Sequence, residues 1–195
     1  MTIKQNPIAA SYKFKKNNHL PISVLFTGFS ASGKTSLANG VEHLLFKHNI
    51  KTCVLDGDNI RKKINKDLGF TLADREENMR RVGEICHLFN NSGTVVLASF
   101  IAPTEKCRQL IKKAVMPYFF MEVFVNTNLE TCQKRDPKQL YKKAKAKQIK
   151  NFTGITASYE VPKKADITIP ESMPHEEAVR SIANQIIQKI TFPYQ

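Results

Sequence analysis

Gly28-Phe29-Ser30-Ala31-Ser32-Gly33-Lys34-Thr35 spells G-x-x-x-x-G-K-T, a spacing with a defined chemistry. Glycines at the first and sixth positions allow backbone angles and a close approach that side chains would block. The loop amides can then turn inward and, with the N-terminus of a following helix, hold phosphate oxygens. In such a loop Lys34 reaches the β- and γ-phosphates of a nucleotide, and the Thr35 hydroxyl ligates Mg²⁺. The motif follows the apolar run Ile22–Thr27 and opens a helical pattern over Lys34–Lys47, the strand–loop–helix context that such a loop requires. The residues expected to bind ATP, with Mg²⁺ as cofactor, are Gly28, Ser30, Ala31, Ser32, Gly33, Lys34, Thr35 and Ser36.

Acidic residues follow the second apolar run as Asp56-Gly57-Asp58-Asn59. An aspartate there can take a proton from an attacking hydroxyl or orient Mg²⁺ through water; the same tetrad also suits a plain strand-end turn. The N-K-x-D motif of GTPases is missing, since Asn65-Lys66-Asp67 carries its aspartate one position early. Ser99 and Asn126 stand where a motor or switch protein would place an aspartate after the third or fourth strand. The pattern fits a small-molecule kinase better. Arg61, Arg75, Arg80 and Arg81, with Asn78, could line a pocket for an anionic acceptor, because arginine grips phosphate or sulfate oxygens in pairs. Arg80 and Arg81 fit a solvated helix face equally well. Asp74 reads as a helix N-cap with Glu77 at the capping-box position. Phe70 and Phe152 sit in glycine-containing loops, where they could sandwich a purine or simply pack. The lysine-rich stretch 138–147 reads either as a solvated helix or as a lid over the phosphates.

These residues need a scaffold, and the hydrophobic pattern supplies one. Short runs rich in β-branched residues or Phe at 22–27, 52–55, 94–99, 122–125 and 167–169 read as strands buried on both faces. Helical patterns at 34–47, 74–90, 104–115 and 175–190 lie among them. Alternation of this kind predicts an α/β fold: a three-layer α/β/α sandwich of P-loop NTPase type around a central parallel sheet, with ligands at the carboxyl ends of the strands. A length of 195 residues suits one domain over 22–195, with a lid near 134–155 and a loose basic arm over 1–21. Cys53, Cys86, Cys107 and Cys132 are scattered singly, as reduced thiols in a cytoplasmic protein would be. No apolar run approaches the ~20 residues of a membrane helix, and no secretory signal is expected. The net charge of +13 comes without a recognised nucleic-acid motif, so neither nucleic acid nor membrane is expected as a partner.

Between residues 22 and 169 the chain closely resembles adenylyl-sulfate kinases. The resemblance is carried by F-T-G-x-S-x-S-G-K-T, L-D-G-D-N-I-R, D-L-G-F-T-x-x-D-R-x-E-N, S-F-I-x-P, E-V-F-V-x-T, R-D-P-K-x-L-Y-K-K-A and F-T-G-I-x-x-x-Y-E. It implies a stand-alone enzyme, commonly a homodimer, that phosphorylates the 3′-hydroxyl of adenylyl sulfate (APS) to 3′-phosphoadenylyl sulfate (PAPS). By the same resemblance Lys34 and Asp58 are catalytic. Asp58 would face the 3′-hydroxyl as base and, with Thr35, organise the metal through water. Asn59, Arg61, Arg75, Asn78, Ile101, Ala102 and Lys138 would contact APS, and Phe70 and Phe152 would clamp its adenine. The chain departs from the family pattern at several positions. Ala31, Gln139 and Lys147 replace glycines, Lys145 replaces an arginine, and Ala102 stands where relatives carry a serine assigned as a phosphoserine intermediate. Direct transfer from ATP to APS is therefore expected. Ser99, the nearest hydroxyl in the sequence, should face away from Ala102 if the strand continues that far.

Overall fold

The computed structural model describes residues 8–192. Along them run α1 (Ala10–Asn17), β1 (Ile22–Thr27), α2 (Lys34–Lys47), β2 (Thr52–Asp56), α3 (Gly57–Lys62), α4 (Leu72–Asn91) and β3 (Val95–Ser99). Then follow α5 (Glu105–Val115), β4 (Phe119–Asn126), α6 (Leu129–Arg135), α7 (Leu140–Lys145), β5 (Ile167–Pro170) and α8 (His175–Ile190). The strands form one parallel sheet in the order β2-β3-β1-β4-β5. Every residue of β1 and β3 is buried, as strands covered on both faces must be.

Alternation along β1 sorts its side chains between two cores. Ile22, Val24 and Phe26 join Leu37, Val41 and Leu45 of α2 and Ile182 and Ile186 of α8. Leu25 points the other way, with Val96 and Ala98 of β3, Met79 and Val82 of α4 and Ile111 of α5. The sandwich is the one its hydrophobic pattern predicts. A third, smaller cluster joins Tyr141 and Ala144 of α7 to Phe152, with Phe29 of the glycine loop packed against it. This lid cluster thus rests on the phosphate loop rather than on the sheet.

Several boundaries differ from expectation for identifiable reasons. β4 begins at Phe119, because β1 is paired along its whole length, from Ile22↔Phe119 to Thr27↔Phe124. The N-cap of α4 is Thr71, not Asp74. The Thr71 hydroxyl accepts from the Asp74 amide at 3.2 Å and the Asp74 carboxylate accepts from the Thr71 amide at 3.1 Å, so Asp74 closes the capping box that Glu77 was expected to close. The basic arm is not loose at residues 10–17. It forms α1, docked by the Asn17 amide on Gly93 O at 2.8 Å and by Phe14 edge-on to Tyr118 at 6.2 Å. The part of the arm at 1–7 lies outside the described residues.

α4 carries the acceptor-side residues, and α5 lies against it through Gly83. A Cβ built there falls 2.6 Å from the Ala114 Cβ and 3.1 Å from the Ile111 Cα. Gly83→Val should therefore wedge the two helices apart and cost about 1–3 kcal/mol by overpacking. In urea this appears as a lower midpoint at an unchanged m-value; an unchanged midpoint would refute the close packing.

Candidate active site

The glycine loop leaves the buried end of β1 at the carboxyl edge of the sheet, between β3 and β4. Gly28 has φ 146°, and a Cβ there would stand 2.7 Å from Val125 O, so the loop passes too close to β4 for any other residue. Two outside groups hold its shape: the Thr127 hydroxyl donates to Ser32 O at 2.9 Å, and the Tyr141 hydroxyl donates to Ser30 O at 3.0 Å. The Lys34 ammonium is folded under the loop, donating to Phe29 O. Burial brings its pKa down to about 8, a deficit of stabilisation that a polyphosphate can supply.

The tetrad after β2 divides its work between its two carboxylates. Asp56 ends the strand and caps α3, its Oδ1 accepting from the amides of Asp58 at 3.0 Å and Asn59 at 3.3 Å. Its Oδ2 accepts from the Thr35 hydroxyl at 2.9 Å, and the Ser99 hydroxyl lies 3.0 Å from the same Thr35 oxygen. One carboxylate and two hydroxyls are thereby gathered beside the phosphate loop, a hard-oxygen set suited to Mg²⁺ shared with phosphates. Asp58 stands on α3 and is paired with the Lys138 ammonium.

A cleft of about 640 Å³ opens in front of these groups. It is lined by Ser30, Ala31, Gly33, Lys34, Thr35 and Ser36 on one side, and by Asp58, Arg61, Phe70, Arg75, Asn78, Ile101, Ala102, Lys138 and Phe152 on the other. Phe70 is 48% exposed and lies under the Arg61 guanidinium at 4.7 Å, with Arg75 at 5.7 Å. Arg75 is tied down by bonds to Phe70 O at 3.1 Å and Asn151 O at 2.6 Å, and Asn78 accepts from Asn65 at 3.0 Å. Phe152 packs edge-on to Tyr141 at 5.0 Å while also reaching the cleft, so it both packs and faces the site.

Three expected residues do not line the cleft. Gly28 and Ser32 shape the loop from behind, and Asn59 contributes its backbone amide to Asp56. Arg80 and Arg81 belong to the helix surface, paired with Glu77 and, for Arg81, with Asp67. Asp56 and Ser99 are among the lining residues to which the sequence reading gave no role in the site. No local pattern links them: they end adjacent strands and meet only through the sheet register, Asp56↔Ser99. The strand continuation on which Ser99 was expected to face away from Ala102 does not occur. β3 stops at Ser99, the chain turns with Ala102 at φ 42°, and both residues line the same cleft. The departures Ala31, Gln139 and Lys147 have φ of 61°, 54° and 59°. These are left-handed positions, where a side chain costs about 1 kcal/mol or more, so each replacement of glycine here is strained.

Comparison with known proteins agrees with this geometry. Residues 20–170 match the family model described as adenylylsulphate kinase. The adenylyl-sulfate kinase of Geotalea daltonii is 48% identical over 155 residues, covering 80% of this chain and 76% of its own. That of Escherichia coli O6:K15:H31 is 42% identical over 182 residues, covering 93% and 89%. The Mycobacterium tuberculosis APS kinase solved in complex with AMPPNP and APS superposes with a TM-score of 0.83 at 40% identity, over 87% of this chain and 98% of that one. The family-model match over residues 20–170, which span the cleft, places this chain in the adenylyl-sulfate kinase family.

Proposed function

We propose that the protein transfers the γ-phosphoryl group of ATP to the 3′-hydroxyl of APS, giving PAPS and ADP. The observation that carries this reading is the convergence, on one cleft, of the phosphate loop, two carboxylates and a wall of arginine and phenylalanine. In this reading the loop amides and Lys34 hold the triphosphate, and the purine of APS lies between Phe70 and Phe152. Arg61, Arg75 and Asn78 meet its anionic part. Asp58 accepts the proton of the 3′-hydroxyl as the new oxygen–phosphorus bond forms and the bond to the β-phosphate breaks. Lys138, on the lid, is the present partner of Asp58, and it exchanges that carboxylate for substrate oxygens when APS arrives. Thr35, Asp56 and Ser99 would hold Mg²⁺, which when bound spreads the charge of the β- and γ-phosphates. The metal role assigned from sequence to Asp58 thus passes mainly to Asp56. All four cysteines are free thiols, which fits a reducing cytoplasm. The homodimer implied by the family belongs to the same reading, and light scattering at assay concentration tests it.

ADP release measured in a coupled assay should rise by orders of magnitude with APS and not with AMP, adenosine or shikimate. Equal rates with AMP would remove the sulfate-recognition argument. Asp58→Asn should lose ~10²–10⁴-fold in kcat, the usual worth of a positioned base. Asp56→Asn should instead shift the Mg²⁺ concentration needed for half-maximal rate upward, and a folded variant with wild-type Mg²⁺ dependence would refute the assignment of Asp56.

Lys34 generates a pH prediction. Its folded pKa of about 8 lies below the ordinary 10.5, so above pH ~8 the unliganded protein holds a neutral amine. A bound polyanion restores the charged form, so ATP binding should take up close to one proton at pH 9 and almost none at pH 7. Calorimetry in two buffers of different ionisation enthalpy reads this directly. Lys34→Met should abolish the uptake, and the same uptake in that variant would assign it elsewhere.

Ala102 has no nucleophilic oxygen, and Ser99 is engaged with Thr35. Incubation with γ-labelled ATP and APS should put label into PAPS with none passing through protein; a phosphoprotein that chases into PAPS at the turnover rate would overturn direct transfer.

A further inference from the structure

Ile101, Ala102 and Pro103 form the turn after β3 that walls the acceptor side of the cleft. Each of their consecutive carbonyls is held by a different partner. The Thr27 hydroxyl donates to Ile101 O at 2.6 Å, Arg108 Nη1 donates to Ala102 O at 3.2 Å, and the Glu160 amide donates to Pro103 O at 2.8 Å. The middle residue has φ 42°, a conformation unfavourable for alanine that persists only where surrounding bonds enforce it.

Arg108 is the hub of that enforcement. It lies on α5, outside the cleft lining, and is 1% exposed. Its Nη1 also donates to Glu160 O at 2.9 Å, its Nη2 donates to Glu105 Oε2 at 2.8 Å, and its Nε stands 3.1 Å from Glu122 Oε1, an ion pair without hydrogen-bond alignment. A single guanidinium thus ties β4, the start of α5, the strand-end turn and the segment that returns from the lid. The neighbouring Tyr159 hydroxyl meets Thr27 at 2.9 Å, so the lid's return strap reaches the same turn by a second route.

We propose that Arg108 is a positioning residue for the acceptor: by holding Ala102 O and Glu160 O together it sets where the turn, and therefore APS, lies relative to the phosphate loop. The proposal rests on the reading that Ile101 and Ala102 wall the APS site. It predicts an effect confined to the acceptor, because none of the Arg108 bonds reaches the loop from Gly28 to Thr35.

Two variants avoid leaving a lone buried charge. Arg108→Lys keeps the charge but lacks the planar fork that spans two carbonyls. The double variant Arg108→Met/Glu122→Gln removes both members of the buried pair together, and Glu122→Gln alone serves as its control. With ATP and APS varied in turn, kcat/KM for APS should fall ~10- to 100-fold in the double variant, as small misplacements remote from the chemistry do. Arg108→Lys should fall less, and the KM for ATP should stay within about twofold in both. A merely structural role predicts a lower Tm with both substrates affected alike, or with the KM for APS unchanged, and either result overturns the proposal. Ile101→Ala separates the two layers of the argument. If it raises the KM for APS while the Arg108 variants do not, the wall reading stands and the role of Arg108 falls. If it too leaves the KM for APS at the wild-type value, the wall reading falls and takes the proposal with it.

Discussion

Burial of the Lys34 ammonium under a loop that answers it with a backbone carbonyl is the constraint around which the site is organised. Desolvation disfavours the charge, and only an incoming polyphosphate restores what water would have given. For this to work the loop must keep its amides pointed inward without a ligand to template them. β1 provides the fixed end, since it is buried throughout and paired on both edges. Val125, Thr127 and Tyr141 provide the rest: one leaves no room for a side chain at Gly28, and two hold loop carbonyls by hydrogen bonds. Phosphoryl transfer asks mainly for position and electrostatics.

The two carboxylates after β2 sit two residues apart and meet different environments. Asp56 is committed on both oxygens, to helix amides and to the Thr35 hydroxyl, so it is held on the phosphate side of the cleft. Asp58 projects from the first turn of α3 and meets a lysine from the lid. One residue is fixed by bonds to the scaffold, the other by an ion pair that a substrate can replace. The two carboxylates thus differ in their partners, a difference which their common residue type conceals.

On the acceptor side, order is transmitted from outside the cleft. Arg75 reaches Asn151 of the lid loop, Tyr141 reaches the phosphate loop, and Arg108 and Tyr159 bring the lid's return strap to the turn after β3. Lid and acceptor wall are therefore bonded to each other through backbone carbonyls. The left-handed non-glycine residues Gln139 and Lys147 flank α7 at its two ends. With Asn151 at φ 55°, they put backbone strain at the ends of the lid helix and in the loop after it.

Much of this was legible before folding. The spacing of G-x-x-x-x-G-K-T is local chemistry, and β1 and α2 were read to their final residues because a largely apolar run and a helical pattern with a glycine start compete with nothing else. Other features depended on partners distant in sequence. The start of β4 was set by the length of β1, and the ordering of 10–17 by Gly93 and Tyr118. The fate of Arg80 and Arg81 was decided by Glu77 and Asp67. Asp56 and Ser99 acquired meaning only when β2 and β3 were laid side by side, and Arg108 only when α5, β4 and the lid strap met around it. By itself the sequence determined the phosphate-binding chemistry and the layered fold, because both are written in short-range spacing and periodicity. The partners of Asp56 and Asp58, the contact of Ser99 with Thr35 and the bonds of buried Arg108 were decided by tertiary structure, because each depends on a hydrogen bond between residues that no local pattern brings together.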